Sequence, residues 1–519
     1  MKRRSFLRHS THGLAIPTLL GSIGFSPYRN LASLLKLSQE TDRVLVLIFL
    51  QGGNDGLNTL IPLDQLSALN QVRPHVILPE QKLLRLNQTN LALHPELPGF
   101  QSLFHEGRMR MVQSVGYPEQ NYSHFRSTDI WMSGSDSNEL VNTGWVGRNL
   151  AQDFPGYPDN YPNEMFPDPL SVEIGYGSSM IFQGPAAPMN MVINDPSYFH
   201  ALVDGVEGPI PDTLAGDKLR HIQLTARQSQ QYGEVVKTAA AKANNRTSYP
   251  ENNELADQLK IVARLIAGGL KTPLYLVNLS GFDTHDAQVE GSDHSKGEHA
   301  TLLRKLDQAV MSFLKDLELQ GADDRVLGMT FSEFGRRIVS NASLGTDHGA
   351  AAPLFVFGNQ VLEGVLGSNP VISREATYED NLPWQYDFRQ VYGSILEQWF
   401  GKSSVDRQQV LMDDFSTVPI LKSEVATKVE NSILSAEPVL KVFPNPIQSS
   451  SILEVQSDGQ AMRIDLLDMQ GKRIRSVFSG VLPKGKQQVP WSTQQMPSGT
   501  YVLHLRQASR SQSLQLLKL

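Results

Sequence analysis

The sequence predicts an α/β protein with a central sheet flanked by helices, followed by a small all-β domain. Continuous apolar segments at 44–50, 274–279 and 326–331 end abruptly in Gly- and Asp-rich residues. Such uninterrupted apolar runs are typical of strands buried on both faces of a sheet. Residues 439–519 instead contain short apolar runs separated by turn residues, a pattern typical of a β-sandwich.

Composition excludes several classes of chemistry. The 519 residues include no cysteine, which excludes disulfides, thiolate nucleophiles, Cys-ligated zinc and iron–sulfur clusters. This length predicts two or three domains at roughly 100–200 residues each. The net charge of −7 divides into two basic ends and an acidic body between them. Because an acidic body repels phosphate backbones, we expect no nucleic-acid partner.

The first 40 residues have the order of an export signal. A basic head at residues 2–8 (KRRSFLR) precedes a short apolar run that Pro17 interrupts. This run is shorter than the ~20 apolar residues of a membrane-spanning helix, so we expect no stable membrane span. The paired arginines resemble a twin-arginine signal, which implies the twin-arginine translocon as a partner. The alternative is a basic N-terminal arm.

Residues 274–331 predict a strand, a helix and a second strand. The helix is indicated by apolar residues at three- and four-residue spacing from Leu302 to Leu317. A crossover of this kind makes the two strands parallel, with their carboxyl ends at the same edge of the sheet. Ligands of open α/β sheets bind at that edge. A further helix is predicted from Asp387 to Phe400, with Asp387 as its N-cap.

Carboxylates and imidazoles follow these predicted strands. Asp283 and His285 are two residues apart, so in an extended segment they point to the same side and can share one cation. Asp347 and His348 are adjacent and diverge, so they can reach two neighbouring ions. Asp55 lies on a Gly-rich turn that allows close backbone approach. The set suits zinc or manganese, or magnesium or calcium if carboxylates dominate.

Each of these residues also has a purely structural interpretation. Asp55 in Asn-Asp-Gly is a common turn signal, and Asp283 can form a local Asx turn. A single histidine is more commonly a hydrogen-bonded structural residue than a ligand. The joint position of the candidates at the ends of strands favours a divalent metal site.

Ser123 is the candidate nucleophile. It follows the predicted strand Met109–Val115, and a helix start at this point would favour an ionised hydroxyl and a bound oxyanion. A serine that only caps the helix is an equal alternative. The adjacent His124 is either a ligand of metal or substrate or a packed polar residue.

Three further residues are predicted to bind substrate. Arg336 and Arg337 can clamp a phosphate or sulfate, with pairing to Glu333 on a helix as the alternative. Asn54 lies beside the metal candidate in the first turn.

Five motifs together resemble the bacterial domain-of-unknown-function 1501 (DUF1501) family. They are residues 50–56 (LQGGNDG), 123–125 (SHF), 281–285 (GFDTH), 332–337 (SEFGRR) and 345–349 (GTDHG). The family is similar to the alkaline phosphatase and sulfatase superfamily, which implies an alkaline phosphatase-like α/β domain over 41–422. In that superfamily, metal ligands match Asp55, Asp347 and His348. The superfamily's Asp-x-x-x-His pair is replaced here by Asp283-x-His285.

Residues 423–438 are predicted to be a linker, and 439–519 a separate domain. Five short strands are predicted, at Ser451–Val455, Met462–Leu467, Arg473–Phe478, Tyr501–Leu505 and Ser513–Leu517. The motifs at 444–446 (PNP), 468–471 (DMQG) and 499–501 (GTY), with Lys518, resemble the sorting domain of the type IX secretion system. The alternative is a module that binds carbohydrate or a protein partner.

These features predict a secreted metal-dependent hydrolase of phosphate or sulfate esters. The two signals imply passage through the periplasm by the translocon, then to the cell surface or outside by the type IX machinery. The alternative is a non-catalytic cell-surface protein that keeps the fold as a binding scaffold.

Overall fold

The computed structural model describes residues 42–159, 161–194 and 231–422, and most of 440–518. The first three ranges belong to one compact unit and the last to another. The predicted export signal at 1–40 and the linker at 423–438 lie outside the described residues. None of the described helices combines the length and apolar character needed to cross a membrane.

The strands and helices of the body are as follows, in chain order. The strands are β1 (Val44–Gln51), β2 (Leu60–Pro62), β3 (Leu84–Arg85), β4 (Leu91–Leu93), β5 (Met109–Gly116), β6 (Val172–Ile174), β7 (Met191–Ile193), β8 (Leu274–Ser280), β9 (Val326–Phe331), β10 (Arg336–Ser340), β11 (Thr346–His348), β12 (Ala352–Phe357), β13 (Gly364–Leu366) and β14 (Tyr386–Asp387). The helices are α1 (Gly56–Thr59), α2 (Leu66–Val72), α3 (Pro98–His105), α4 (His124–Ser133), α5 (Trp145–Asp153), α6 (Glu254–Ala267), α7 (Glu298–Leu319), α8 (Phe388–Gln398) and α9 (Ser404–Leu411). Residues 231–242 are also helical.

A nine-stranded mixed sheet forms the centre of the described body. Its order is β13-β5-β12-β9-β1-β8-β6-β7, with β14 also paired to β5. Strand β1 is parallel to both of its neighbours, β8 and β9. Strand β12 is antiparallel to β9 and to β5, so β5 runs in the same direction as β9. The carboxyl ends of β1, β5, β8 and β9 therefore lie at one edge of the sheet.

The three predicted central strands are confirmed, because the structure has β1, β8 and β9 at these positions. Their continuous apolar sequence results from burial on both faces, and every residue of β9 is buried. The predicted parallel arrangement of β8 and β9 is also confirmed. The structure adds that β1 lies between them, which the strand–helix–strand pattern did not predict.

Helix α7 covers the sheet with its apolar stripe. Leu306, Val310 and Phe313 are completely buried in the main hydrophobic core, as the three- and four-residue spacing predicts. Burial of apolar surface stabilises by about 25 cal/mol per Å². The helix anchors the strands on either side of β1, and thereby positions the loops that follow them.

Helix α8 begins at Phe388, and the predicted N-cap at Asp387 is confirmed. The Asp387 carboxylate accepts a hydrogen bond of 2.9 Å from the Arg389 backbone N–H. Gln390 reaches back to the Asp387 N–H at 3.1 Å, which completes a capping box. Two otherwise unsatisfied N–H groups at the start of the helix are therefore bonded.

One predicted local structure is wrong. The alternative that placed Glu333, Arg336 and Arg337 on a helix fails, because Arg336 begins strand β10. Strand β10 pairs antiparallel with β11 outside the central sheet. Two-residue periodicity here points Arg336 into the interior, while Arg337 is partly exposed.

The C-terminal unit contains β15 (Leu440–Phe443), β16 (Ser450–Ser457), β17 (Ala461–Leu467), β18 (Arg473–Val481), β19 (Gly485–Ser492), β20 (Gly499–Gln507) and β21 (Arg510–Lys518). They form two sheets, β15-β16-β19 and β18-β17-β20-β21, which share one hydrophobic core. The predicted sandwich and its five strands are confirmed. Sequence analysis missed β15 and also β19, whose mostly polar sequence includes Pro490. The motifs at 444–446 and 468–471 lie outside the described residues.

A buried carboxyl in α7 gives the fold a testable pH dependence. Asp307 accepts hydrogen bonds from the Gly99 and Phe100 N–H groups at the start of α3, at 3.1 and 2.9 Å. Burial raises the pKa of Asp307 to about 6, although these two bonds favour its ionised form. Between pH 4 and 6 the folded state therefore binds more protons here than the unfolded state does.

We expect this group to reduce the free energy of unfolding by roughly 2–3 kcal/mol as pH rises through that range. Asp307→Asn removes the titrating group, so the change in the free energy of unfolding between pH 4 and pH 7, measured by urea unfolding, should be about 2–3 kcal/mol more positive in the variant than in the unmodified protein. An unchanged pH dependence in the variant would contradict the assignment.

Candidate metal centre

Segments that follow several strands meet at the carboxyl edge of the central sheet. His124 begins α4 after β5, Asp283 and His285 follow β8, and His348 ends β11. The contacts among their side chains show that the structure brings these residues together. His124, Asp283 and His348 each offer one ligand atom, and these atoms lie within 4.8 Å of one another.

Each of the three imidazoles is held at its Nδ1 atom by an acceptor. His348 Nδ1 lies 2.8 Å from the Tyr122 carbonyl oxygen. His285 Nδ1 lies 3.0 Å from the Asp347 carboxylate, and His124 Nδ1 lies 2.9 Å from Oε1 of Glu333. These acceptors assign the proton of the neutral ring to Nδ1 in each case, so Nε2 carries the lone pair.

The three Nε2 atoms converge on Asp283. His285 Nε2 and His348 Nε2 are 2.9 Å apart, and each is 3.1 Å from Oδ1 of Asp283. His124 Nε2 is 3.3 Å from Oδ2 of the same carboxylate, and it is buried with no hydrogen-bond partner in the described part of the chain. Lone pairs that face one another and a carboxylate repel unless a cation lies between them. The arrangement is therefore that of a candidate cation site.

The protonation states of Asp283 and His348 suit such a site. Burial alone would raise the pKa of Asp283, but the hydrogen bond and the positive charge of Arg336 lower it below its usual value. Burial lowers the pKa of His348, so this imidazole is neutral at pH 7. The hydrogen bond to Glu333 raises the pKa of His124. Metal ligands must be deprotonated, and Asp283 and His348 meet this condition at neutral pH.

Asp347, predicted as a ligand, lies next to the cluster and contacts the far nitrogen of His285. Its Oδ1 atom also accepts a hydrogen bond of 3.2 Å from Asn341. Interactions with His285 and Asn341 outweigh the effect of burial and lower the pKa of Asp347. In this position Asp347 orients His285, as the outer carboxylate of a histidine ligand does.

Asp55, also predicted as a ligand, is not brought into the cluster. Its side chain is buried and forms an ion pair with the fully buried Arg73. Oδ2 of Asp55 also accepts a hydrogen bond of 2.6 Å from Gln288. Gln288 in turn accepts hydrogen bonds from Thr284 and Thr346, so Asp55 lies behind the segments that carry the cluster.

The predicted substrate-binding residues separate into interior and surface groups. Asn54 is buried, and its Oδ1 atom contacts Thr59 and His299 at 2.9 and 3.0 Å. Arg336 is buried as well. Arg337 is nearer to solvent, and its Nε donates to the His348 carbonyl oxygen at 3.0 Å. Arg336, Arg337 and the partly buried His124 therefore all contact the cluster, and Arg336 does so from the interior, by donating to Asp283 Oδ1 at 2.8 Å.

Ser123 lies at the N-cap position of α4, and the predicted helix start is confirmed. Its side chain is exposed and makes no capping hydrogen bond. Its neighbours on both sides contact the cluster, Tyr122 through its carbonyl oxygen and His124 through its ring. Ser123 therefore lies beside the cluster, and its role as a nucleophile remains a prediction.

Sequence analysis considered Glu333 only as a partner of the arginines and missed its contact with the cluster through His124. The completely buried carboxylate of Glu333 accepts hydrogen bonds from the Gly52 N–H at 2.9 Å and from Ser332 at 3.2 Å, in addition to the His124 contact. Its position in the sequence could have indicated this role, because Glu333 follows the parallel strand β9 much as Asp55 follows β1.

Comparisons with known proteins agree with the two resemblances stated above. Residues 210–398 match the DUF1501 family model. That family is described as a protein of unknown function, and the match includes the residues from β8 to β11 that build the cluster. Residues 441–518 match the model described as a secretion system C-terminal sorting domain. This match indicates export to the cell surface or the extracellular space. No curated protein matches the sequence.

The chain is also similar to solved structures at low identity. The PsFucS1 sulfatase from Pseudoalteromonas sp. is 10% identical over 89% of this chain and 87% of its own, with a TM-score of 0.34. A protein in the alkaline phosphatase superfamily from Vibrio parahaemolyticus is 8% identical over 80% and 76%, with a TM-score of 0.32. The alkaline phosphatase from the Antarctic bacterium TAB5 is 10% identical over 62% and 94%, with a TM-score of 0.25.

A glycine substitution tests how the first turn positions Asp283. Gly52 has φ +123°, and a Cβ atom there would lie 2.3 Å from the Asp283 backbone nitrogen. We expect Gly52→Ala to lower the free energy of unfolding by more than about 2 kcal/mol. Alanine is strained at this positive φ, and the backbone at Asp283 must also move to make room for the added Cβ. The measurement is the urea unfolding midpoint.

Gly269→Ala is the matched control, because Gly269 has φ +92° but nothing within 4 Å of its added Cβ. It should show the conformational cost alone, about 1 kcal/mol. Equal losses in the two variants would show that the contact between the two loops contributes nothing.

Proposed function

We propose that this protein is a secreted hydrolase of phosphate or sulfate esters that uses a divalent metal ion. The observation that supports the proposal is the convergence of three Nε2 lone pairs on the Asp283 carboxylate. Of the predicted ligands, Asp283, His285 and His348 would hold the ion, joined by His124. Asp347 would orient His285 from outside.

The donor set fits a divalent transition metal. Three imidazole nitrogens and one carboxylate oxygen suit zinc or manganese better than magnesium or calcium, which prefer oxygen ligands. Glu333 and Asp347 supply the outer carboxylates that fix the tautomer and orientation of ligating histidines. When bound, such an ion supplies positive charge for an anionic transition state and lowers the pKa of a coordinated hydroxyl group.

Two further residues contribute chemistry of their own. The exposed Ser123 hydroxyl lies at the start of a ten-residue helix, where free N–H groups favour an oxyanion. Arg337 directs its guanidinium over the Tyr122 ring at 5.4 Å and is 18% exposed, so it can attract an anionic ester.

With Ser123 as nucleophile, two steps complete the hydrolysis. Its oxygen bonds to phosphorus or sulfur as the bond to the ester oxygen breaks, and the hydroxyl proton passes to the departing alcohol. Water then cleaves the new serine ester, which releases phosphate or sulfate and restores the hydroxyl.

The route of export is also part of the proposal. The sorting-domain match supports the type IX secretion machinery as a partner of residues 441–518. Passage through the periplasm by the twin-arginine translocon remains a prediction from residues 2–8.

The function is tested with His348→Ala, measured by elemental analysis of the purified protein and by hydrolysis of aryl phosphates and aryl sulfates. Loss of one of four ligands should reduce hydrolysis at least about 100-fold and lower the bound metal. His75→Ala is the control, because the His75 side chain is exposed and forms no hydrogen bond or ion pair with the cluster in the part of the chain that the structure describes. It should leave both quantities unchanged.

Unmodified protein that contains metal but cleaves neither class of ester would contradict the hydrolase and favour the scaffold alternative. Equal activity of His348→Ala and the unmodified protein would contradict the assigned centre.

A further inference from the structure

We infer that this centre takes one metal ion per chain, because two buried guanidinium groups already pair with its carboxylates, Arg73 with Asp55 behind the centre and Arg336 with Asp283 within it. The inference rests on the metal-binding part of the proposed function and adds the number of ions. It also assigns Asp55 and Arg336, both predicted to contact metal or substrate, to an internal ion-pair network.

Arg73 neutralises the charge of Asp55. The two side chains are 0% and 1% exposed and form a direct ion pair. Arg73 also donates through Nη1 to the carbonyl oxygens of Arg337 and Ile338, at 2.7 and 3.0 Å, which fixes it in place. A second divalent ion on Asp55 would lie beside this buried cation, where no water screens the repulsion.

Oxygen atoms surround the guanidinium group of Arg336 at the edge of the sheet. Its side chain is fully buried, and its guanidinium donates to oxygens from three separate segments. The acceptors and distances are Gly52 O at 2.5 Å, Gly53 O at 2.8 Å, Phe282 O at 2.8 Å, Thr346 O at 2.8 Å and Asp283 Oδ1 at 2.8 Å. Backbone carbonyl and carboxylate oxygens of this kind are also the ligands of hard metal ions. The guanidinium therefore supplies positive charge where another cation would otherwise bind.

The charges of the described residues agree with a single ion. Four carboxylates surround the site, those of Asp55, Asp283, Glu333 and Asp347. The guanidinium groups of Arg73 and Arg336 offset two of them, and the charge of Arg337 at the cluster is offset by a further carboxylate, that of Glu379. One divalent ion offsets the remaining two, whereas a second would leave a net positive interior next to buried cations.

One atom makes Asp55 the residue to test. Its Oδ1 is buried without a hydrogen-bond partner in the part of the chain that the structure describes. Either a water molecule or an ion can satisfy this oxygen. If it holds a second ion, removing the carboxylate charge must weaken that ion's binding.

The experiment is a zinc titration of tag-free, full-length protein after chelation, by isothermal calorimetry with elemental analysis of the saturated sample. We expect one ion per chain. Asp55→Asn should keep one ion with an affinity within about threefold of the unmodified protein, although it melts at a lower temperature. Asp283→Asn, its matched control with the same change of group, should weaken binding by about 10–100-fold or more.

Two ions per chain would overturn the inference, as would a tenfold loss of affinity in a folded Asp55→Asn variant. If that variant does not fold, the number of ions in the unmodified protein decides the matter. Parallel ester assays separate this inference from the proposed function. One ion without hydrolysis supports the inference and contradicts the hydrolase. Two ions with hydrolysis contradict the inference and support the hydrolase. Absence of any bound ion contradicts both.

Discussion

The buried guanidinium of Arg336 holds together the segments on which the candidate site is built. It bonds to carbonyl oxygens after β1, after β8 and within β11, and to the Asp283 carboxylate. A guanidinium has five N–H donors in a rigid plane, and donors that are buried need acceptors. Any displacement of one loop therefore leaves a costly unsatisfied group, which keeps Asp283 and His348 in register.

The site combines this rigid interior with a solvent-accessible surface. Asp283 and His285 are about half exposed and open to solvent, while Glu333 and Arg336, which contact the cluster from behind, are buried. Glu333 is fully buried and bonds both to the Gly52 N–H and to His124. The oxygen acceptors that position the imidazoles are thus distinct from the carboxylate that their lone pairs face. This division fixes the tautomer of each histidine before any ligand binds.

Much of the fold could be predicted, because burial on both faces leaves a strong signal in sequence. The uninterrupted apolar strands β1, β8 and β9 and the amphipathic α7 are such cases. Polar or short elements carried weaker signals, as β19 and the β10–β11 ladder show. The site was predicted in part. Asp283, His285 and His348 were found from their place after strands, but the orienting role of Glu333 depends on a contact 209 residues away in the chain.

The sequence by itself determined the fold class, the two-unit organisation suggested by its motifs, and the chemistry available without cysteine. Local spacing decides these features, because helix and strand periodicity act over a few residues. The tertiary structure alone decided which carboxylate meets the histidines. Asp55 and Asp283 both follow buried parallel strands and both pair with a buried arginine, yet three histidines surround only Asp283. Such pairing depends on the three-dimensional position of distant charges, which periodicity does not encode.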